Sequence, residues 1–185
     1  MMVIEGVPPL FAGALEKQGY TTLTEVQRAV LARDIGQADL LVSAQTGSGK
    51  TVAFGLAMAS TLLDGKARFP ANSDPVAVVV APTRELAVQV RLELAWLYAP
   101  AGAKMAACVG GMDMRQERRT LADGAHIVVG TPGRLRDHIT RGSLDMSSVR
   151  ALILDEADEM LDLGFREDLE FILSAAPPER RTLMF

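Results

Sequence analysis

Short, unbroken apolar runs alternate along this chain with longer segments in which apolar residues return every three or four positions. The runs are Asp39–Ala44, Pro75–Ala81, Lys104–Val109, His126–Val129, Arg150–Leu154 and Thr182–Phe185. Half-exposed strands alternate polar and apolar residues, whereas these runs do not, which is the mark of strands buried on both faces. Helices are expected between them, over Pro8–Gln18, Thr24–Asp34, Gly49–Leu63, Thr83–Tyr98, Asp113–Asp123 and Arg134–Arg141, and over Asp158–Ser174 with a break near Gly164. Strand and helix in turn predict an α/β fold, a mostly parallel sheet with helices on both faces. The stretch Asp64–Pro75, with Gly65, Pro70 and Asn72, reads as a surface loop rather than a linker, so a single domain is expected. Thr182–Phe185 reads as the opening of a buried strand, and chains rarely stop inside one, so the sequence is expected to be cut from a longer protein.

Composition narrows the class. With 185 residues, 49% hydrophobic and 23% charged, the chain can bury one sizeable core and is not a disordered polymer. No apolar stretch approaches the roughly 18 residues of a membrane span. Met1–Phe11 carries Glu5 and no basic segment before an apolar one, so it does not read as a secretory signal, and the low cysteine content makes a reducing cytoplasm the expected location. The single cysteine, Cys108, rules out an internal disulfide and a cysteine-based zinc site; it reads as a small buried hydrophobe, and Trp96 as a packing residue. Two histidines, His126 and His138, are too few for a histidine metal cluster.

The net charge of −4 is unevenly spread: residues 1–154 hold 16 basic and 14 acidic side chains, residues 155–185 hold 3 and 9. A polyanion would therefore meet local groups, such as Arg115, Arg118 and Arg119 or Arg134 and Arg136, rather than bulk positive charge. A solvated helix face is the other reading of those arginines.

Between the first run and its helix stands Ala44-Gln45-Thr46-Gly47-Ser48-Gly49-Lys50-Thr51. Glycines let successive N–H groups and a helix N-terminus point at phosphate oxygens, while Lys50 can reach the β and γ phosphates and the Thr51 hydroxyl would hold Mg²⁺; a glycine-rich turn capping a helix is the other reading. Ala44 departs from the usual glycine at its position. A metal-nucleotide site also needs an acid at a strand end. Ala151-Leu152-Ile153-Leu154-Asp155-Glu156-Ala157-Asp158 supplies Asp155 to face that magnesium and Glu156 to lie beside an attacking water.

These residues resemble the DEAD-box ATP-dependent RNA helicases, whose naming motif is the literal Asp155-Glu156-Ala157-Asp158. In the family's order, Pro82-Thr83-Arg84-Glu85-Leu86-Ala87 is similar to motif Ia, Gly110-Gly111 to the double glycine, and Thr131-Pro132-Gly133-Arg134 to motif Ib. Gly19–Gln27 resembles the Q motif, with Leu23 and Glu25 where the family has proline. The resemblance implies the first of two RecA-like domains, residues 1–30 forming the Q-motif region and 31–185 the core, with the second domain absent. It implies ATP and Mg²⁺ as cofactors, Lys50, Asp155 and Glu156 as catalytic residues, and Thr51 and Asp155 as metal ligands. It further implies nucleotide binding by Thr46, Gly47, Ser48, Gly49, Lys50 and Thr51. Thr24 would bond the phosphate loop and Gln27 the adenine edge, with Phe11 as the candidate to stack on the base and Tyr20 behind it; either aromatic reads equally as core.

The partners implied are RNA and the second RecA-like domain, in a monomer with no membrane association. Pro82, Thr83, Arg84, Gly110, Gly111, Thr131, Pro132, Gly133 and Arg134 would grip the RNA backbone without reading bases, and Asp158 would couple to a Ser-Ala-Thr motif beyond Phe185. The 185-residue chain alone is then expected to be nearly inactive. A DNA-directed ATPase of the same core and a non-catalytic docking module stand as the alternative readings.

Overall fold

The computed structural model describes residues 4–32, 35–71 and 74–185. Six strands form one sheet: β1 (Leu40–Leu41), β2 (Ala77–Val80), β3 (Met105–Cys108), β4 (Ile127–Gly130), β5 (Ala151–Leu154) and β6 (Arg181–Met184). Their order is β1-β6-β5-β2-β4-β3, and every neighbouring pair runs parallel. All six carboxyl ends therefore open on one edge, where ligands of such sheets bind.

The unbroken apolar runs are explained by the two cores. Ala77, Val79, Ile127, Val129, Ala151, Ile153 and Leu183 point to one, and Val78, Val80, Val128, Leu152 and Leu154 to the other. Period-two alternation persists, but both faces are covered, so neither set is polar.

Four helices cover the first face: α1 (Pro9–Lys17), α2 (Glu25–Val30), α3 (Lys50–Leu63) and α4 (Arg84–Tyr98). Helix α3 is apolar almost all round because it lies at the centre of this layer. Gly55 lets it approach α4 closely, since a Cβ there would sit 2.6 Å from Leu97 Cδ2. Tyr98 closes the contact by donating its hydroxyl to the Gly55 carbonyl at 2.6 Å. The other face is covered by α5 (Met114–Ala122), α6 (Pro132–Thr140), α7 (Ala157–Asp162) and α8 (Arg166–Ala175).

Several elements differ from expectation. β1 has two residues instead of six: it is an edge strand paired only with β6, Leu41 is 85% exposed, and the chain then leaves for the phosphate loop. The helix expected over Thr24–Asp34 ends at Val30, and its last two positions, Arg33 and Asp34, lie outside the described residues. Helix α6 begins two residues early because Pro132, whose fixed φ suits the first helical turn, starts it. The break at Gly164 is found, at φ +87°. Asn72 of the expected loop is outside the described residues; the part before it is pinned by Phe69, which stacks on His126 at 4.7 Å. His126 has a packing role: Nδ1 accepts the Lys104 N–H at 2.8 Å, and Nε2 meets the Pro70 carbonyl at 2.8 Å.

Among the described residues no helix is long and apolar enough to cross a membrane. Cys108 is buried and free, as expected, and Trp96 packs with Tyr20 at 6.1 Å between ring centres.

Candidate nucleotide site and nucleic-acid edge

The strand order divides the carboxyl edge into two halves. The loops after β1 and β5 lie on one side, and those after β2, β4 and β3 on the other. The first half holds the phosphate loop. Gly47 and Gly49 adopt φ of +81° and +82°, a backbone conformation open to glycine without strain, and Gly49 leads directly into α3. Lys50, at the first position of that helix, hydrogen-bonds Glu156 Oε1 and lies 3.7 Å from Asp155 Oδ1.

The two acids occupy the corner where β5 turns into α7. Glu156 sits at φ +53°, one of two non-glycine residues with positive φ among those described, so the corner stores local strain while holding both carboxylates against Lys50. Asp155 is 2% exposed. Burial pushes its carboxyl up to about 6; Lys50 opposes the rise and Glu156 adds to it.

Asp155 Oδ1 has no hydrogen-bond partner, nor has the buried Ser48 hydroxyl in the loop. A buried carboxylate oxygen left without a donor is oxygen chemistry that suits Mg²⁺, and Thr51, at the second position of α3, is the residue from which the sequence expects a further oxygen. Lys50, Glu156 and Asp158 line one open cleft of about 300 Å³ with Ala44 and Phe185. Asp158 itself is exposed and accepts the Glu159 N–H at 3.0 Å.

Gln27 is buried completely, and its amide is engaged at both ends. The side-chain oxygen accepts the Thr24 N–H at 3.0 Å, the Thr24 hydroxyl accepts the Gln27 N–H in return, and the amide nitrogen donates to the Gly49 carbonyl at 3.2 Å. The loop contact expected of Thr24 is thus made by Gln27, which clasps the Gly49 carbonyl. Phe11 is also corrected. It is 1% exposed and packs edge-to-face on Tyr98 at 5.1 Å, a core aromatic with no open face for a base.

On the second half, Thr83 caps α4 by accepting the Leu86 N–H at 3.2 Å, and Arg84 is exposed. Arg84 reaches across to the double-glycine turn, where a Cβ on Gly111 would stand 2.6 Å from its Nη1. Gly110 and Gly111 are exposed, while Thr131, Gly133 and Arg134 are half-buried. Pro82 and Pro132 are buried, so these two shape the turns and do not face a ligand, contrary to expectation.

Arg134 donates Nη2 to the Met112 carbonyl at 3.2 Å and sets Nε 3.7 Å from Glu117. Arg136 faces elsewhere, pairing with Asp168 at 2.9 Å over the ring of Phe171. Arg115, Arg118 and Arg119 are exposed on α5.

Two residues at this edge escaped the sequence reading. Glu117 and His138 are buried and meet at 2.6 Å. The available signal was the spacing of Glu117 and Leu121, which places the one acid of α5 on its inner face.

Residues 24–185 match the family model described as DEAD/DEAH box helicase, and the chain belongs to that family. It is 43% identical over 172 residues to the DEAD-box ATP-dependent RNA helicase CshA of Geobacillus kaustophilus, a match covering 93% of this chain and 36% of that protein. It is 42% identical over 181 residues to DEAD-box ATP-dependent RNA helicase 9 of Oryza sativa subsp. japonica, covering 97% of this chain and 28% of that one. The chain thus spans about a third of the length of these relatives. A crystal structure of a DEAD box protein from the hyperthermophile Methanococcus jannaschii superposes with a TM-score of 0.85 at 36% identity, over 97% of this chain and 47% of that one. The α/β fold is the RecA-like domain expected.

Proposed function

We propose that this chain is the ATP-binding half of an ATP-dependent RNA helicase, with nucleotide on the β1/β5 half of the edge and an RNA backbone on the β2/β4/β3 half. The observation that carries it is the cluster of Lys50, Asp155 and Glu156 beside a glycine loop, with Asp155 Oδ1 left without a hydrogen-bond donor. Lys50 would leave Glu156 to bind the β and γ phosphates, N–H groups of residues 46–51 would hold the remaining phosphate oxygens, and Asp155 with Thr51 would hold Mg²⁺. The metal would neutralise phosphate charge. Glu156, released by Lys50, would orient water for attack on the γ phosphate. The Gln27 amide keeps a second N–H and a second oxygen lone pair beyond its bonds to Gly49 and Thr24, so adenine reading would use these once the buried side chain is uncovered.

Thr83, Arg84, Gly110, Gly111, Thr131, Gly133 and Arg134 offer main-chain and guanidinium donors without groups arranged against base edges, which favours sequence-independent RNA binding. A second RecA-like domain would supply the arginines that complete catalysis, and the chain alone would hydrolyse ATP negligibly. Cytoplasmic location and a monomeric state belong to the same proposal.

Calorimetry with ADP, ATP and GDP in Mg²⁺, on the native chain and on Lys50→Ala, tests the reading. Adenine-selective binding lost in Lys50→Ala is expected. Absence of nucleotide binding by the native chain would overturn it in favour of a docking module.

A further inference from the structure

A buried carboxylate stands beneath the double-glycine turn. Glu117 is 3% exposed, although it lies in α5 among Arg115, Arg118 and Arg119. Its Oε1 accepts the Val109 N–H at 2.8 Å, at the point where β3 passes into Gly110-Gly111. Its Oε2 lies 2.6 Å from His138 Nε2 and 3.7 Å from Arg134 Nε, both on α6. His138 is in turn held at Nδ1 by the Ser143 hydroxyl at 3.0 Å. Arg134 closes the ring of contacts by donating to the Met112 carbonyl, on the far side of the glycines.

Cys108, Glu117 and His138 also place a sulfur, an oxygen and a nitrogen within 4.8 Å of one another. A metal is not the better reading. Both Glu117 oxygens are already engaged by donors, a guanidinium cation stands beside them, and burial together with Glu117 pushes the Cys108 thiol well up, keeping it protonated.

We infer that Glu117 is a positioning residue for the RNA-binding edge, fixing the double-glycine turn and the Arg134 guanidinium in the one relation that presents both to the same stretch of backbone. The inference rests on the RNA reading above. Its physical basis is that a buried acceptor with two donors and a neighbouring guanidinium, drawn from two separate segments, leaves little freedom to either, and that a site binding phosphates through main-chain N–H groups needs their direction set beforehand. Glu117 touches no ligand: its side chain lies inside, while Gly110 and Gly111 are exposed.

The test compares the native chain with Glu117→Ala, Glu117→Gln and Arg84→Ala. Fluorescence anisotropy with a labelled single-stranded oligouridine reads RNA affinity, Mg²⁺·ADP affinity at the opposite half of the edge reports the fold, and amide hydrogen exchange reads the 109–112 turn. Glu117→Ala is expected to weaken RNA binding about tenfold and speed exchange in the turn. In Glu117→Gln the amide oxygen still accepts from Val109, so slow exchange is expected to return, while RNA affinity recovers only in part because Arg134 has lost its anion.

Unchanged exchange in Glu117→Ala overturns the inference, as does a loss of ADP affinity equal to the loss for RNA. Weakened binding in Arg84→Ala with none in Glu117→Ala overturns it while leaving the RNA reading intact. No binding by the native chain, or equal binding by Arg84→Ala, overturns the RNA reading itself. Should Glu117→Ala fail to fold, Glu117→Gln carries the test, and RNA affinity equal to the native chain's then overturns the role in holding Arg134.

Discussion

The side-chain amide of Gln27 donates to the main-chain oxygen of Gly49 at 3.2 Å, tying the helix that precedes β1 to the last residue of the phosphate loop. No residue larger than glycine fits opposite it, since a Cβ at position 49 would stand 2.4 Å from the Gln27 nitrogen, and φ there is +82°. Gln27→Ala removes both the clasp and half of the capping box, and leaves the Gly49 carbonyl with only the Ala53 N–H that continues the helix. A stability loss of about 1–3 kcal/mol is expected in urea melts. ADP affinity should fall several-fold in the same variant, because a loosened loop must be reordered on binding. Stability and affinity both at the native level would show that the clasp carries no weight.

Asp155 makes stability depend on pH in a definite direction. Its carboxyl is raised from 3.8 to about 6 by burial, so between those values the folded state binds a proton that the unfolded state has released. The group's contribution is fully present below the unfolded value and is lost as pH rises through about 6. At about 1.4 kcal/mol per unit, the buried charge then costs roughly 3 kcal/mol. Asp155→Asn, which carries no charge, should match the native chain near pH 4 and exceed its stability by up to that amount near pH 8. Paired denaturant melts across this range measure the gap, and a gap that does not change with pH would refute the assignment. For the same reason the Mg²⁺-dependent part of ADP affinity should decline as pH falls from 7 towards 5, since the metal must displace a proton.

Phe11 belongs to the core, and its replacement should show it. Phe11→Ala opens a cavity against Tyr98 and is expected to cost about 3–5 kcal/mol. Phe11→Leu, which fills most of the space, should restore much of that. In Phe11→Leu the ratio of ADP to GDP affinity should equal that of the native chain. A changed ratio would return Phe11 to the nucleotide site.

Gly111→Ala addresses the other half of the edge. The new methyl group meets Arg84 Nη1 at 2.6 Å, and φ of +80° strains an alanine by about 1–2 kcal/mol. RNA affinity should fall, and the slope of its logarithm against that of salt concentration should drop by about one contact if Arg84 is displaced from a phosphate. ADP affinity should be unaffected. A parallel loss of both would mean that the turn supports the whole domain rather than this edge.

Much of this molecule was legible along the chain, because the signals are local. Unbroken apolar runs mark strands covered on both sides, a glycine loop before a helix marks a phosphate cradle, and Asp-Glu after such a run marks a strand end. Each depends on residues a few positions apart. The edge strand was read too long because hydrophobicity does not reveal that only β6 pairs with it.

What the sequence by itself determined was therefore the elements, their apolar faces and the segments bearing the site. Only the tertiary structure decided the strand order that sets Lys50 against acids 105 and 106 residues further on. It also decided that Phe11 is core, that Gln27 holds a loop, and that Glu117 lies buried against Val109 and His138. Those outcomes depend on which groups meet when two apolar faces close. Local pattern reports that a side chain faces inward; the identity of its neighbour is set by packing between segments far apart in the chain.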